Sequence, residues 1–142
     1  MSGSGRVSLP LVEAGVPLTC VDFSAGLMSI LRRKLAIQQL AADLHVMDVR
    51  DLALGRTFDL IFIPFHSFTE VTDGDDEQRV LRHVADHLSD QGRFICTLHN
   101  PTVRLQSVER PYSLWIKRPL PDEQGTVLLW GSQRYDPVRE II

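Results

Sequence analysis

The chain has 142 residues, 44% hydrophobic and 23% charged, a balance that suits a globular domain with a sizeable core and excludes a disordered segment. A formal net charge of −3 supplies no general basic field, which argues against nucleic acid as a partner. No apolar run is long enough to span a bilayer and the first residues do not read as a signal peptide, so a cytoplasmic protein without a membrane partner is predicted.

The first five residues, "MSGSG", form a glycine-rich turn of the kind that normally follows a strand and leads into a helix. Arg6 to Glu13 then reads as a short helix, with Pro10 early enough to be tolerated and Gly15 as its stop. Residues 17–23, "PLTCVDF", form a short apolar run closing on an acid, a buried strand. Ser24 can cap the next helix, where Leu27, Ile30, Leu31, Leu35 and Met28 are expected on the core face. Residues 44–49, "LHVMDV", repeat the strand-then-acid pattern. Residues 58–65, "FDLIFIPF", are nearly continuous apolar sequence, expected of a strand covered on both faces. A polar loop leads into a helix with Val80, Leu81, Val84 and Leu88 on one side, and residues 91–101 turn at Gly92 into another strand. Cys20 and Cys96 lie in these apolar runs and are expected as buried free thiols.

Strands alternating with helices predict an α/β fold, a Rossmann-like and mostly parallel sheet with flanking helices. After Pro101 the sequence becomes proline-punctuated and amphipathic, read as a lid or loop. "TVLLWGSQRY", "DP" and "REII" then read as strand, turn and a second strand, a C-terminal β-hairpin. The expected organisation is one domain over residues 1–142, with a core at 1–101 and the lid and hairpin at 102–142.

The chemistry gathers at the strand ends. Gly3 and Gly5 expose backbone N–H groups to a ligand that can approach closely. Asp22, at the tip of the next strand, is placed to accept both hydroxyl protons of a ribose. Asp48, at the following tip, can accept from an exocyclic amine such as adenine's. A dinucleotide fingerprint needs a third glycine where Ser8 stands, and no phosphate-binding lysine motif is present, so a nucleoside fits better than a pyrophosphate. His66 and His99 each follow a strand, and His66 is a candidate general base. His83 and His87 are four apart on one helix; a shared metal is possible chemistry, but solvated edge histidines are the simpler reading, and no metal site is expected.

In their order, "GSGRVSLPLVEAG", "LTCVDFSAGLMSILRRKL", "HVMDVRDL", "FDLIFIPFHSF" and "VLRHVADHLSDQGRFICTLHNP" resemble the successive motifs of class I S-adenosylmethionine-dependent methyltransferases of the small-molecule type. The resemblance implies methyl transfer from S-adenosylmethionine to a small-molecule acceptor. It implies Gly3 and Gly5 beside the methionine moiety, Asp22 on the ribose and Phe23 bordering the adenine. Asp48 and Val49 would hold the adenine's amine and ring edge, with Phe65 and His66 beneath the sulfonium. Members of the family place a strand and a first glycine ahead of "GSGR" and two strands after the hairpin. Relative to them this sheet is incomplete, and the glycine turn is expected to lack an anchor of its own. The alternatives are an adenosine-binding or assembly fragment without transferase activity, or a metal-assisted hydrolase using the His and Asp residues at the strand ends. Edges left open by an incomplete sheet predict a homodimer formed by strand pairing or swapping.

Overall fold

The computed structural model describes residues 1–100, 112–120 and 125–136, with residues 102, 105, 108 and 138 described singly. The chain divides into two units, Met1–Leu98 and His99–Ile142. Among the described residues no helix is long and apolar enough to cross a membrane.

In the first unit, α1 (Ser8–Glu13) tolerates Pro10 because a first-turn residue needs no intrahelical donor, and it ends at Gly15 with φ 82°. Strand β1 (Thr19–Asp22) leads into α2 (Ala25–Ile37), whose start is capped by the Ser24 side chain accepting from the Leu27 N–H at 3.3 Å. Strand β2 (Asp43–Val46) pairs with β1 in parallel, Thr19 opposite Asp43. A 3-10 turn, Val49–Asp51, follows. Strand β3 (Phe58–Ile63) leads through a second 3-10 turn, Ser67–Glu70, to α3 (Gly74–Asp86), where the Asp73 cap accepts from the Asp75 and Asp76 N–H groups. Strand β4 (Leu88–Cys96) returns parallel to β3.

The expected parallel α/β arrangement is therefore present, in two pairs. Among the described residues β1 pairs only with β2, and β3 only with β4. The core is correspondingly split. One cluster joins Val12, Cys20, Met28, Leu31 and Leu35; the other joins Val71, Val80 and Val84. A cavity of about 300 Å³ is lined by both β1 and β3.

Several element readings need correction. On α2 the buried face is Met28, Leu31 and Leu35, at the i, i+3, i+7 spacing of one helical stripe, while Leu27 and Ile30 are exposed. On α3 Leu81 is exposed, because Val80 and Val84 already supply the inward face. Leu88 belongs to β4, which starts before Gly92; a Cβ at Gly92 would lie 2.8 Å from the Phe58 carbonyl oxygen, so that close approach needs glycine. Strand β3 is not covered on both faces: Leu60 is 50% exposed, while Ile61 on the opposite face packs against the cluster of Val71, Val80 and Val84. Cys20 is buried and free as expected, whereas the free Cys96 is only partly covered.

The second unit is an antiparallel hairpin of β5 (Ser113–Pro119) and β6 (Thr126–Gly131). The hairpin was expected, but its partner strand lies upstream of "TVLLWG", in a stretch read as lid. Trp115 packs so tightly over Gly131 that a Cβ there would meet the indole at 2.5 Å. The remainder of the expected lid and the "REII" strand fall largely or wholly outside the described residues.

Candidate functional site

Asp22 terminates β1 as a buried carboxylate, and each oxygen accepts one backbone donor. Oδ1 takes the Ser24 N–H at 2.9 Å and Oδ2 the Gly3 N–H at 2.8 Å. The second bond ties the glycine turn to the strand tip. The Met1 amino group donates to the Val21 carbonyl, which also accepts the Ser2 N–H at 2.9 Å, and that amino group lies 3.6 Å from Asp22 Oδ2. Lys34 Nζ donates to the Ser4 carbonyl at 2.9 Å. The turn therefore finds its anchor in this chain's own residues, contrary to expectation, because a carboxylate and a lysine reach it from elements later in the sequence.

The two glycines differ in their work. Gly3 has φ 56° with nothing within 4 Å of where a Cβ would stand, an open approach to backbone. Gly5 has φ 87° and a Cβ there would strike Leu31 Cδ1 at 2.3 Å, so it is a packing glycine that lets the turn close onto α2. Phe23, just beyond Asp22, is 74% exposed at the same edge.

Asp48 sits after β2 as the cap of the Val49–Asp51 turn. It accepts from the Arg50 backbone N–H at 2.9 Å, from Nε at 3.0 Å and from Nη2 at 2.7 Å. These bonds hold the Asp48 carboxyl well below the usual range, at about 2. Arg50 also donates to Asp76 at 3.0 Å, and Arg79 pairs with Asp51 at 3.2 Å, so the turn is fastened to the first part of α3. Arg50 was not singled out in the sequence; its position two residues after a strand-tip acid was the available signal.

After β3, Phe65 and His66 both take left-handed backbone conformations, φ 56° and 59°. Two successive non-glycine residues held there mark local strain at a strand tip, a feature that clusters at functional sites. Thr97, following β4, accepts the His66 N–H on Oγ1 at 3.1 Å, and the Thr69 hydroxyl donates to the His66 carbonyl at 2.7 Å. The Arg6 guanidinium lies 4.5 Å from the centroid of the Phe65 ring. Neither Arg6 nor Thr97 was legible, since each acquires its role from a neighbour distant in the chain.

Gly3, Val49, Phe65 and Arg6 all line the cavity between β1 and β3. Asp22 joins them through its bond to Gly3, and His66 adjoins Phe65; Gly5, Phe23 and Asp48 flank that edge without lining the cavity. His87 is not a solvated edge histidine. It is buried, accepts the Leu54 N–H on Nε2 at 2.9 Å, and its Nδ1 lies 2.7 Å from the His83 carbonyl, which fixes the Nδ1–H tautomer. Among the described residues no group of three or more His, Cys, Asp or Glu could hold a metal ion.

Residues 1–92 match the family model described as a methyltransferase domain. The cypemycin N-terminal methyltransferase of Streptomyces sp is 30% identical over 101 residues, 70% of this chain and 40% of that protein. The structure is similar to the CcbJ methyltransferase from Streptomyces caelestis, with a TM-score of 0.81 at 23% identity over 97% of this chain and 54% of that one. It is also similar to the glycopeptide N-methyltransferase MtfA complexed with (S)-adenosyl-L-methionine, with a TM-score of 0.62 at 21% identity over 92% and 57% of the two chains. The chain thus spans between 40% and 57% of the length of these proteins.

Proposed function

This chain belongs to the methyltransferase-domain family of class I fold, and from that premise we propose that it binds S-adenosylmethionine and methylates a small-molecule amine. The observation that carries the reading is the Asp22–Gly3 bond, which brings the strand-tip acid and the open glycine backbone into one cradle. The residues present fit the cofactor: Asp22 Oδ1 keeps a further lone pair for a ribose hydroxyl, Oδ2 has one on the side where the Met1 amino group stands, and Gly3 leaves room for close approach. The amine is suggested by the names of two relatives, an N-terminal methyltransferase and a glycopeptide N-methyltransferase.

The bound cofactor supplies a methyl group already activated by its positive sulfur, so the protein's task is alignment and proton management. Asp22 receives the ribose, Phe23 borders the adenine, and Asp48 with Val49 faces its amine and edge. Gly3 and Gly5 border the methionine portion, and Phe65 offers a ring face to positive charge, the place Arg6 takes in this structure. His66, fixed through its backbone by Thr97 and Thr69, takes the proton from the acceptor nitrogen.

Calorimetric titration with S-adenosylmethionine tests the reading; saturable one-site binding is expected, and none at millimolar cofactor overturns it. The edges of β1 and β3 that face no strand among the described residues favour a second reading, ligand binding without transfer, which binding with no methylated product across a panel of amines would select. We further propose a cytoplasmic protein, on its two free thiols, and a homodimer formed through strand edges.

A further inference from the structure

The Asp48 carboxylate is nearly filled before any ligand arrives. A carboxylate has about four lone-pair sites. Oδ1 accepts the Arg50 backbone N–H at 2.9 Å and Nε at 3.0 Å, and Oδ2 accepts Nη2 at 2.7 Å, all from one residue. What is left is a single acceptor position on Oδ2, and its direction is fixed because the guanidinium fork grips both oxygens. Arg50 is itself braced. Its Nη1 donates to Asp76 Oδ2 at 3.0 Å, in the first turn of α3. Arg79 of the same helix reaches back to Asp51 at 3.2 Å, in the turn that carries Arg50. The acid beyond β2 is therefore aimed from α3, through Arg50.

We propose that Arg50 is a positioning residue that sets which purine the site accepts: by pinning Asp48 with one open acceptor position, it admits a base bearing an exocyclic amine and rejects one bearing an oxo group in its place. The inference rests on the reading that Asp48 faces the adenine's amine. An amine N–H meets the open position on Oδ2 and gains a charge-assisted bond without reordering the carboxylate. An oxo group meets a second acceptor instead, and two ways out are closed. The fork keeps the carboxylate from turning to water. The bonds from Arg50 that hold it at about 2 keep it from taking a proton and becoming a donor. Arg50→Lys keeps the charge and loses the fork, which opens both ways out. The signature is a change in selectivity, whereas damage to the fold weakens both ligands together.

The test is calorimetry at neutral pH with S-adenosylhomocysteine and its oxo analogue S-inosylhomocysteine, on the full chain and on its Arg50→Lys and Asp76→Asn variants. The wild type is expected to prefer the adenine ligand by about tenfold or more. Arg50→Lys should lower that ratio by about fivefold or more, partly through tighter binding of the oxo ligand. Asp76→Asn keeps the fork, removes its brace and should lower the ratio less. An unchanged ratio in Arg50→Lys, or in Asp76→Asn should the first variant not fold, overturns the proposal and leaves Arg50 a structural tie. Equal binding of the two ligands by the wild type also overturns it, while the cofactor reading stands. Binding of neither ligand at millimolar concentration overturns that reading itself, and this inference with it.

Discussion

Asp22 is the residue on which most of the site turns, and its environment sets the size of the effect expected from removing it. Asp22→Ala frees the Gly3 N–H from its strand tip and, on the proposed reading, takes away a charged acceptor for two ribose hydroxyls. Charge-assisted hydrogen bonds of this kind are worth about 1.5–3 kcal/mol. Calorimetry should therefore show S-adenosylmethionine affinity reduced by at least tenfold, more than for Asp48→Ala. His66→Ala should cut turnover while leaving cofactor affinity nearly unchanged, since its tether is backbone to Thr97; equal turnover in the mutant returns His66 to a loop role. Asp48 gives a pH prediction. Its carboxyl is depressed to about 2 by hydrogen bonds from Arg50. The linked stability is present above the unfolded value of about 3.9 and is lost as pH falls through about 2. Carbon-13 titration should place the Asp48 midpoint near 2, and Arg50→Ala should move it up towards the unfolded value.

Among the elements, the junction of glycine turn and α2 is the most sharply tested. Gly5→Ala combines a positive φ with a methyl group aimed at Leu31, itself fully buried. About 1–3 kcal/mol of destabilisation is expected from overpacking and backbone strain, read as a lower urea midpoint. Gly3→Ala meets no neighbour and should cost less. Strands β1 to β3 were legible because short apolar runs ended in acids or in "PF" at the sheet's carboxyl edge. The start of β4 was not, because Leu88 extends the Val80–Val84 spacing and so imitates another helical turn. The hairpin was half legible. "TVLLWG" reads as a strand from its apolar run, but its partner carries Lys117, Arg118 and Pro119 and declares itself only by pairing. Asp22 and Gly3 were readable as separate candidates; the hydrogen bond between them, the reach of Lys34 and Thr97, and the second bond of Arg50 to Asp76 belong to tertiary proximity alone.

For the whole molecule, the proposed homodimer rests on strand edges. Strands β2, β4, β5 and β6 each have one partner among the described residues, and unprotected edges favour pairing with another copy. Light scattering across a dilution series is expected to report a dimer at micromolar concentration that dissociates on dilution. A monomer throughout rules out edge-to-edge association.

The divided core has a consequence for how the proposed chemistry fails. Asp22 and the glycine turn ride on the half built around Met28 and Leu31, while Phe65 and His66 ride on the half built around Val80 and Val84. On the proposed reading the ribose and methionine ends of the donor rest on the first half, while Val49 and Phe65 reach it from the second, so aligning the methyl group requires both, set at the right gap like the jaws of a calliper. A change that spreads the jaws without harming either one would leave a protein that keeps its hold on the ribose end of the cofactor and no longer measures out the distance over which a methyl group must travel.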